Sequence, residues 1–416
     1  MQHRIVVLGA GYSGAIAAGR LARRLRREDV SLTLVNAEPD FVERVRLHQL
    51  ATGQELEPRP LAEMFAGTGV TVRLGRVTAV DVDRRTVTVT TAGTGGAEGA
   101  EGASTTEELP YDSLVHALGS GWTDHGVPGA AAHAEELASR AGALRLRDRL
   151  AALESGRPVL VVGGGLTGVE AATEIAEARP DLDVALVARG GLGDWLSPKG
   201  VRHLRKVFGR LGITVHEHTT VTEVAAEHVT VGTDGAAGST RIPAAVTVWT
   251  TGFAAHPLAR ATTLEVTEEG RILVDGTMRS VSHPDVYAVG DAALALGAGD
   301  KPLRMSCASG VPMAWQAADA LAARLTGGKI PRASLRYFNQ CVSLGRRDGL
   351  IQFVTADDRA VGAALTGRSA ARYKELVCKG AAWGVAHPTL GAPSRRRALV
   401  RGRSSEEGRR TVREAV

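Results

Sequence analysis

A glycine-rich turn between a hydrophobic strand and an alanine-rich helix occurs twice in this chain. It reads RIVVLGAGYSGA at residues 4–15 and VLVVGGGLTGVE at residues 159–170. In G-x-G-x-x-G, the first glycine permits the turn, the second lets the backbone approach a pyrophosphate, and the third lets helix and strand pack closely. Backbone N–H groups and the helix dipole then hold the phosphates. Each copy therefore predicts a dinucleotide-binding unit.

Two dinucleotide pockets in one chain favour a permanently bound flavin and a nicotinamide that visits it. The flavin accepts a hydride and passes electrons onward, while the protein binds and orients both partners. The six glycines that we predict to contact these cofactors are Gly9, Gly11 and Gly14 in the first copy and Gly163, Gly165 and Gly168 in the second.

Alternating strand and helix patterns around both copies predict an α/β fold. The first unit opens the chain, the second begins near Pro158, and the runs RILVDGTMRS and DVYAVGDAA indicate that the first domain resumes after the second. The predicted parts are a first dinucleotide-binding domain at 1–120 and 256–330, a second at 121–255, a C-terminal domain at 331–390, and a basic, disordered tail at 391–416; the resemblance described below makes the first the FAD-binding and the second the NAD(P)H-binding domain.

The net charge of +5 is concentrated near the C-terminus, where residues 395–413 contain eight arginines against Glu406 and Glu407. We interpret this segment as a solvated tail and do not expect nucleic-acid binding. Attraction to anionic lipid or nucleic acid is the less favoured alternative.

The chain resembles the flavoproteins with two dinucleotide-binding domains in the pyridine nucleotide–disulfide oxidoreductase superfamily, and within it the type II NADH dehydrogenase-like branch. The resemblance covers about residues 4–330. Its motifs follow the family's order and spacing: GAGYSG, LHQLATG, YDSLVHALGS, GGGLTGVE, VWTTGF and VYAVGDAA. The resemblance implies two Rossmann-like domains arranged as in glutathione reductase, the second inserted in the first, plus a C-terminal region.

The resemblance also assigns cofactor-binding residues. It implies that the first glycine motif binds FAD, and that Gly290 and Asp291 contact the ribityl and phosphate region of the flavin. Taken alone, Asp291 is equally a turn or helix-cap aspartate. Ala117 and Gly119 match the crossover strand, where backbone contact survives the replacement of the usual threonine by Leu118.

In the second domain, the resemblance implies that Glu170 lies near the nicotinamide ribose, and Gly252 in VWTTGF is a further cofactor-binding position. The alternative for Glu170 is a charge at a helix N-terminus, favoured by the dipole. The resemblance identifies no catalytic side chain.

The acid that usually holds the ribose hydroxyls, about twenty residues after each motif, is absent from both copies. In the first copy Asn36 stands there, and an amide can still bond a ribose. In the second, Ala188 is followed by Arg189. A guanidinium in place of a carboxylate favours a 2′-phosphate, and so NADPH over NADH. An Arg189 that points to solvent is the open alternative.

The chain departs from the disulfide branch of the superfamily, since Cys307, Cys341 and Cys378 form no C-x-x-C or C-x4-C pair. We expect Cys307 to be a small buried residue and not a redox thiol. Trp315 interrupts the family's A-Q-x-A-x-Q pattern; it lies either near the flavin or in the core. His216 and His218 have no third ligand nearby, so no metal site is predicted.

These features predict an FAD-dependent NAD(P)H oxidoreductase that passes hydride from NADPH or NADH to FAD and electrons to a quinone or quinone-like acceptor. One alternative is a ferredoxin-reductase-like enzyme that reduces an iron–sulfur protein. Another is a flavin-binding regulatory protein whose basic tail binds nucleic acid or membrane. The sequence does not predict the oligomeric state.

We expect a cytoplasmic protein, because the first strand begins almost at residue 1 and no apolar run approaches the roughly eighteen residues of a membrane span. The segment AARYKELVCKGAAWG at 370–384 is amphipathic. It is either an interfacial helix giving peripheral membrane contact or a helix docked on the protein's own core, and we prefer the second interpretation.

Overall fold

A computed structural model describes residues 1–93, 102–233, 238–331, 334–390 and 396–400. Its strands are β1 (His3–Leu8), β2 (Val30–Asn36), β3 (Val70–Leu74), β4 (Arg76–Asp81), β5 (Thr86–Gly93), β6 (Gly102–Pro110), β7 (Ser113–His116), β8 (Ser120–Trp122), β9 (Ala134–Glu136), β10 (Pro158–Val162), β11 (Asp183–Val187), β12 (Thr214–His216), β13 (Thr219–Val224), β14 (His228–Thr233), β15 (Ser239–Pro243), β16 (Val246–Trp249), β17 (Phe253–Ala255), β18 (Ile272–Leu273), β19 (Val286–Ala288), β20 (Ala293–Leu294), β21 (Asn339–Ser343), β22 (Gly349–Val354) and β23 (Ala360–Thr366). Its α-helices are α1 (Tyr12–Arg24), α2 (Leu47–Leu50), α3 (Leu61–Met64), α4 (Ala130–His133), α5 (Arg140–Ala151), α6 (Leu166–Ala178), α7 (Pro198–Leu211), α8 (Cys307–Thr326) and α9 (Arg368–Ala386).

Two parallel five-stranded sheets form the centre of the molecule, and they confirm the predicted α/β class. The first has the order β19-β7-β1-β2-β3 and the second β12-β11-β10-β16-β9. Their central strands β1 and β10 are apolar runs buried on both faces, as parallel sheets covered by helices require. Strand β19 joins the first sheet after the whole second sheet has been completed along the chain. The domain boundaries given above stay predictions.

The glycine turns lie at equivalent places in the two sheets. Helix α1 follows β1 directly, and α6 follows β10 directly. In both units the strand pairs in parallel with the strand after the helix, β1 with β2 and β10 with β11. Because the carboxyl ends of parallel strands meet at one edge, each helix begins where ligands bind in open α/β sheets.

The region after α8 forms an antiparallel sheet, β21-β22-β23, covered by α9. Strand β21 contacts α6, β23 contacts α7, and α9 contacts α1. The C-terminal region therefore touches helices of both dinucleotide-binding units.

Residues 396–400 differ from the predicted disordered tail. The Arg397 N–H donates to the Arg24 carbonyl at 2.9 Å, and the Val400 N–H donates to the Leu325 carbonyl at 3.1 Å. These main-chain bonds tie this piece to the ends of α1 and α8, where carbonyls left free by the helices accept them. Residues 391–395 and 401–416 of the predicted tail lie outside the described residues.

Candidate functional site

One cavity of about 570 Å³ is lined by residues of both glycine turns and of the C-terminal region. Eight of the predicted cofactor-binding residues line it: Gly11, Ala117, Gly119, Gly165, Glu170, Gly252, Gly290 and Asp291. The other six, which are not among the lining residues, are Gly9, Gly14, Asn36, Gly163, Gly168 and Arg189.

In the first glycine turn, steric contacts require two of the three glycines, and the third faces open space. Gly9 has φ +92°, and a Cβ there would lie 2.5 Å from the Ala117 carbonyl oxygen. A Cβ at Gly14 would lie 1.8 Å from the Gly9 carbonyl oxygen, so this glycine lets α1 pack against the turn. A Cβ at Gly11 would meet nothing within 4 Å. The open side of Gly11 is therefore space at the start of a helix, which suits a phosphate.

The second turn repeats this arrangement. Gly163 has φ +126°, and a Cβ there would lie 2.6 Å from the Thr250 hydroxyl oxygen. A Cβ at Gly168 would lie 1.9 Å from the Gly163 carbonyl oxygen, whereas one at Gly165 would meet nothing within 4 Å. Both turns thus leave free space at the middle glycine alone, and the two spaces open into one cavity. This fits two dinucleotides that approach each other.

Gly290 and Asp291 lie on the cavity wall near the first turn. Gly290 has φ +69°, and a Cβ there would lie 2.6 Å from the Ser13 hydroxyl oxygen of α1. The Ser120 hydroxyl donates to Asp291 Oδ2 at 2.6 Å, which orients the carboxylate. A carboxylate beside the N-terminus of α1 can accept bonds from the hydroxyls of a sugar or ribityl chain, so these residues fit the flavin position.

Asn36 supports the first glycine turn from the end of β2. Its Oδ1 accepts the Ala10 N–H at 2.9 Å, and its Nδ2 donates to the Glu38 carbonyl at 2.8 Å. The amide therefore orders the loop, while its second N–H and second lone pair stay available to a ribose.

Ala188 and Arg189 follow β11 beside the second turn. Ala188 is buried, and a Cβ at Gly164 would lie 2.6 Å from the Ala188 Cβ. Arg189 is exposed and has neither a hydrogen bond nor an ion pair within the described ranges. A small residue followed by an unpaired guanidinium leaves room and charge for a 2′-phosphate.

Glu170 takes part in a buried cluster that the sequence did not predict. Its Oε1 accepts from Lys374 Nζ of α9 at 3.0 Å and from the Ser343 N–H at 2.9 Å. Its Oε2 lies 3.9 Å from His48 Nδ1. The Lys374 ammonium also donates to the Cys341 carbonyl at 3.1 Å. The carboxylate is therefore bonded by the protein itself, and its contact with a nicotinamide ribose stays a prediction.

The two bases of this cluster differ in charge state. Burial lowers the pKa of Lys374, but the Glu170 carboxylate outweighs that effect and raises it above its usual value. Burial lowers the pKa of His48 to about 4, and Glu170 only partly opposes this. At neutral pH the cavity therefore contains a lysine cation and a neutral histidine, whose Nε2 has no partner among the described residues.

All three cysteines line the same cavity. Burial raises the pKa of Cys341 to about 11 and raises the pKa of both Cys307 and Cys378. Thiols in this state are poor nucleophiles. Cys307, the first residue of α8, is only half-buried and lies on the cavity wall, so the expectation of a small buried residue is not met.

Trp315 lies neither at the cavity nor in the core. Its side chain is 46% exposed, and the Arg20 guanidinium carbon lies 6.0 Å from its ring centroid. The core alternative from the sequence is therefore wrong, because this face of α8 is turned toward α1 and solvent; a position near the flavin or a substrate stays a prediction.

Helix α9 packs one face on the protein and exposes the other, so it has features of both interpretations of the amphipathic segment. Cys378 and Ala382 face the protein, as preferred, while Leu376 and Trp383 are 70% and 52% exposed.

Within the described ranges no helix has the length and apolarity to cross a bilayer. The same ranges contain no group of three or more His, Cys, Asp or Glu side chains placed to hold a metal ion.

Comparison with known proteins identifies relatives of this architecture. A family model described as pyridine nucleotide-disulphide oxidoreductase matches residues 3–322. The type II NADH:quinone oxidoreductase NdhA of Mycobacterium tuberculosis is 29% identical over 331 residues, which cover 70% of this chain and 66% of that protein. The chain therefore spans about two thirds of that relative's length.

Solved structures show the same fold at lower identity. The sulfide:quinone oxidoreductase of Aquifex aeolicus matches with a TM-score of 0.77 and 18% identity, over 94% of this chain and 93% of that one. A water-forming NADPH oxidase, engineered from the NADH oxidase of Lactobacillus brevis and solved with NADPH, matches with a TM-score of 0.66 and 19% identity, over 84% and 75%.

Proposed function

Because this chain belongs to the pyridine nucleotide–disulphide oxidoreductase family, whose members are NAD(P)H-dependent flavoenzymes, we propose that it oxidises NADPH and reduces a quinone or quinone-like acceptor. The observation that carries the proposal is the single cavity into which both glycine turns open. FAD, when bound, supplies the hydride acceptor and electron carrier that amino-acid side chains lack.

The residues of the first unit have the chemistry to hold FAD. The N-terminus of α1 at Gly11 would receive the pyrophosphate, and Asp291 would accept bonds from hydroxyl groups of the ribityl chain. Gly9, Gly14 and Gly290 allow the backbone to come this close, because a Cβ at any of them would meet another atom within 2.6 Å. Asn36 would contribute its remaining amide capacity to the ribose.

The second unit would hold the nicotinamide dinucleotide in the same way, with the pyrophosphate at Gly165. We assign Arg189 to the 2′-phosphate of NADPH. The engineered oxidase that was solved with NADPH supports this choice, since its changes include an aspartate replaced by alanine and the adjacent alanine replaced by arginine. Ala188 and Arg189 present the same pair of residues.

Lys374 is the side chain that we assign to charge stabilisation in the cavity. Its ammonium is buried, fixed by Glu170 and the Cys341 carbonyl, and needs no reorganisation when negative charge develops beside it. Preorganised cations of this kind stabilise reduced, anionic species most strongly in a water-poor site. Lys374 would thus stabilise the negative charge that the acceptor gains on reduction. It would not act as a proton donor, because its pKa is raised.

An acceptor from a membrane fits the surroundings of the cavity. Val377 of α9 lines the cavity and is 43% exposed, and the neighbouring Leu376 is 70% exposed. An apolar face next to a cavity gives a lipophilic quinone a route that avoids water, so we propose peripheral contact of α9 with a membrane.

An anaerobic titration tests the function. The flavin absorbance of the purified protein should bleach on addition of NADPH, more readily than with NADH, and should return on addition of a short-chain quinone. Bound flavin that bleaches with neither NADPH nor NADH contradicts the oxidoreductase. Reoxidation by a ferredoxin and not by the quinone would instead favour the iron–sulfur-protein alternative.

A further inference from the structure

A second, open groove of about 1080 Å³ lies at the C-terminal end of α1. Five of its lining residues are arginines, and they come from two distant parts of the chain: Arg23, Arg26, Arg27, Arg396 and Arg397. Neither glycine turn contributes to it. The groove is therefore a separate feature that the oxidoreductase does not use.

The groove is built by main-chain pairing and not by chance approach of long side chains. The Arg397 N–H donates to the Arg24 carbonyl at 2.9 Å, and the Arg26 N–H donates to the Arg397 carbonyl at 3.3 Å. The Leu399 N–H donates to Asp29 Oδ2 at 3.2 Å. These bonds hold residues 396–400 alongside the end of α1, so the two groups of arginines face one space.

Two carboxylates near this end of α1 are engaged elsewhere. Asp319 pairs with Arg20 at 2.7 Å and with Arg24 at 2.7 Å, and Asp29 accepts the Leu399 N–H. Among the described residues, no carboxylate lines the groove, and the side chains of Arg23, Arg26 and Arg396 make no hydrogen bond or ion pair. Arg27 donates only to the Gly67 carbonyl.

The helix dipole explains only part of this charge. A cation in the last turn of α1 is stabilised by the free carbonyls there, which accounts for Arg23. Arg26 and Arg27 lie beyond the helix, and Arg396 and Arg397 are brought in from the other end of the chain. Gathering them costs repulsion between like charges, which a bound anion would relieve.

We propose that this groove binds an anion with several phosphate groups. Guanidinium groups bind phosphate through paired, planar hydrogen bonds, and five of them around one space suit two or three linked phosphates better than a single carboxylate. The hydroxyl of Thr389 on the same wall offers a further donor. A soluble oligophosphate and a lipid headgroup share this chemistry.

The test uses the holoprotein saturated with FAD and NADP+, so that the dinucleotide sites are filled. Calorimetry measures the binding of inorganic triphosphate, and sedimentation measures binding to vesicles of phosphatidylcholine with and without cardiolipin, whose headgroup carries two phosphates. The groove variant is Arg23→Gln, Arg26→Gln and Arg397→Gln together. The control is Arg140→Gln, Arg202→Gln and Arg241→Gln, three exposed arginines of the second unit that change the net charge equally.

We expect the groove variant to lose about tenfold or more in affinity while the control stays within about twofold, since each lost guanidinium removes a charge-assisted hydrogen bond. Loss of triphosphate binding identifies a soluble anion. Loss confined to the cardiolipin-dependent part of vesicle binding identifies a lipid headgroup. Two results would overturn the site. One is an equal loss of affinity in both variants at equal thermal stability, and the other is no binding of either probe by the unaltered protein.

Discussion

Individual side chains of the cavity owe their charge state to their neighbours and not to their residue type. Lys374 and His48 are both buried beside Glu170, yet only the lysine lies within hydrogen-bonding distance of the carboxylate, at 3.0 Å against 3.9 Å for the histidine. Lys374 therefore stays charged, while His48 has a pKa lowered to about 4 and is neutral. Lys374 thus brings a fixed positive charge to the cavity wall, whereas the neighbouring His48 brings none.

Removal of the lysine alone should be costly. Lys374→Met leaves the buried Glu170 carboxylate without its cation, and we expect the free energy of unfolding to fall by about 3–5 kcal/mol. The double variant Lys374→Met with Glu170→Gln should regain most of that stability but not the rate of quinone reduction. Urea unfolding and quinone-reductase assays measure both. Lys379→Met on the same helix, at a side chain 69% exposed, is the control, and it should change neither.

Arg189 should decide the choice of nicotinamide. Arg189→Ala removes the guanidinium that we assign to the 2′-phosphate, so KM for NADPH should rise about tenfold while KM for NADH stays nearly constant. Steady-state kinetics with both dinucleotides measure the ratio. Arg202→Ala, at another exposed arginine of the same unit, should leave it unchanged. Equal effects of Arg189→Ala on both cofactors would refute the assignment.

Glu174 makes stability depend on pH. Burial raises its pKa to about 7, with Arg346 and Gln54 partly opposing this. A raised pKa means that the folded state favours the proton, so the contribution to stability is complete below pH ~4.5 and is lost as the pH rises through about 7. Glu174→Gln should therefore exceed the wild-type protein in unfolding free energy at pH 8 by about 2–3 kcal/mol, and this gain should shrink toward pH 5. Urea titrations at both pH values test it; a constant difference contradicts it.

At the scale of secondary-structure elements, the three glycines of each strand–turn–helix unit have different roles. The outer two permit the fold and the middle one faces the open space, in both copies. Helix α9 likewise has two faces with different roles: one packs on the sheet β21-β22-β23, and the other is exposed to solvent. Each element thus serves both packing and binding, through different residues.

Alanine substitutions in the second turn should separate these roles. Gly168→Ala places a Cβ 1.9 Å from the Gly163 carbonyl oxygen and should lower the unfolding free energy by about 1–3 kcal/mol. Gly165→Ala meets no atom within 4 Å, so stability should hold while KM for NADPH rises, because the methyl group occupies space next to the expected pyrophosphate. Thermal unfolding and steady-state kinetics report each effect. The same outcome for both variants would contradict the division.

At the scale of the whole molecule, the cavity exists only because three parts of the chain meet. Gly11 comes from the first unit, Gly165 from the second, and Lys374 from the C-terminal region. The first unit is itself assembled across the second, since β19 pairs with β7. A ligand in this cavity therefore contacts all three parts at once.

Flavin removal should consequently destabilise the whole protein and not one domain. A ligand that binds only the folded state stabilises it by about 2.7 kcal/mol at one hundred times its Kd. We expect the apoprotein to unfold at a lower temperature, in one transition, and FAD to restore the midpoint in a concentration-dependent way. Scanning calorimetry of apoprotein with added FAD measures this. An unchanged midpoint after flavin removal contradicts FAD binding at this cavity.

The sequence by itself determined the α/β class, both glycine turns and eight lining residues of the cavity. These features are local: a buried strand, a turn that only glycine permits and a helix start are encoded within a dozen neighbouring residues. The family motifs extended this to the order of the units along the chain.

Only the tertiary structure decided which side chains complete the site. Lys374, His48 and the three cysteines meet Glu170 and the glycine turns through contacts between residues far apart in the chain, which no local periodicity records. The same is true of Arg396 and Arg397. The charge count of the sequence assigns them to a tail, whereas main-chain hydrogen bonds place them beside α1. Local patterns specify elements, whereas burial and pairing between distant segments specify the charge and chemistry of the spaces between them.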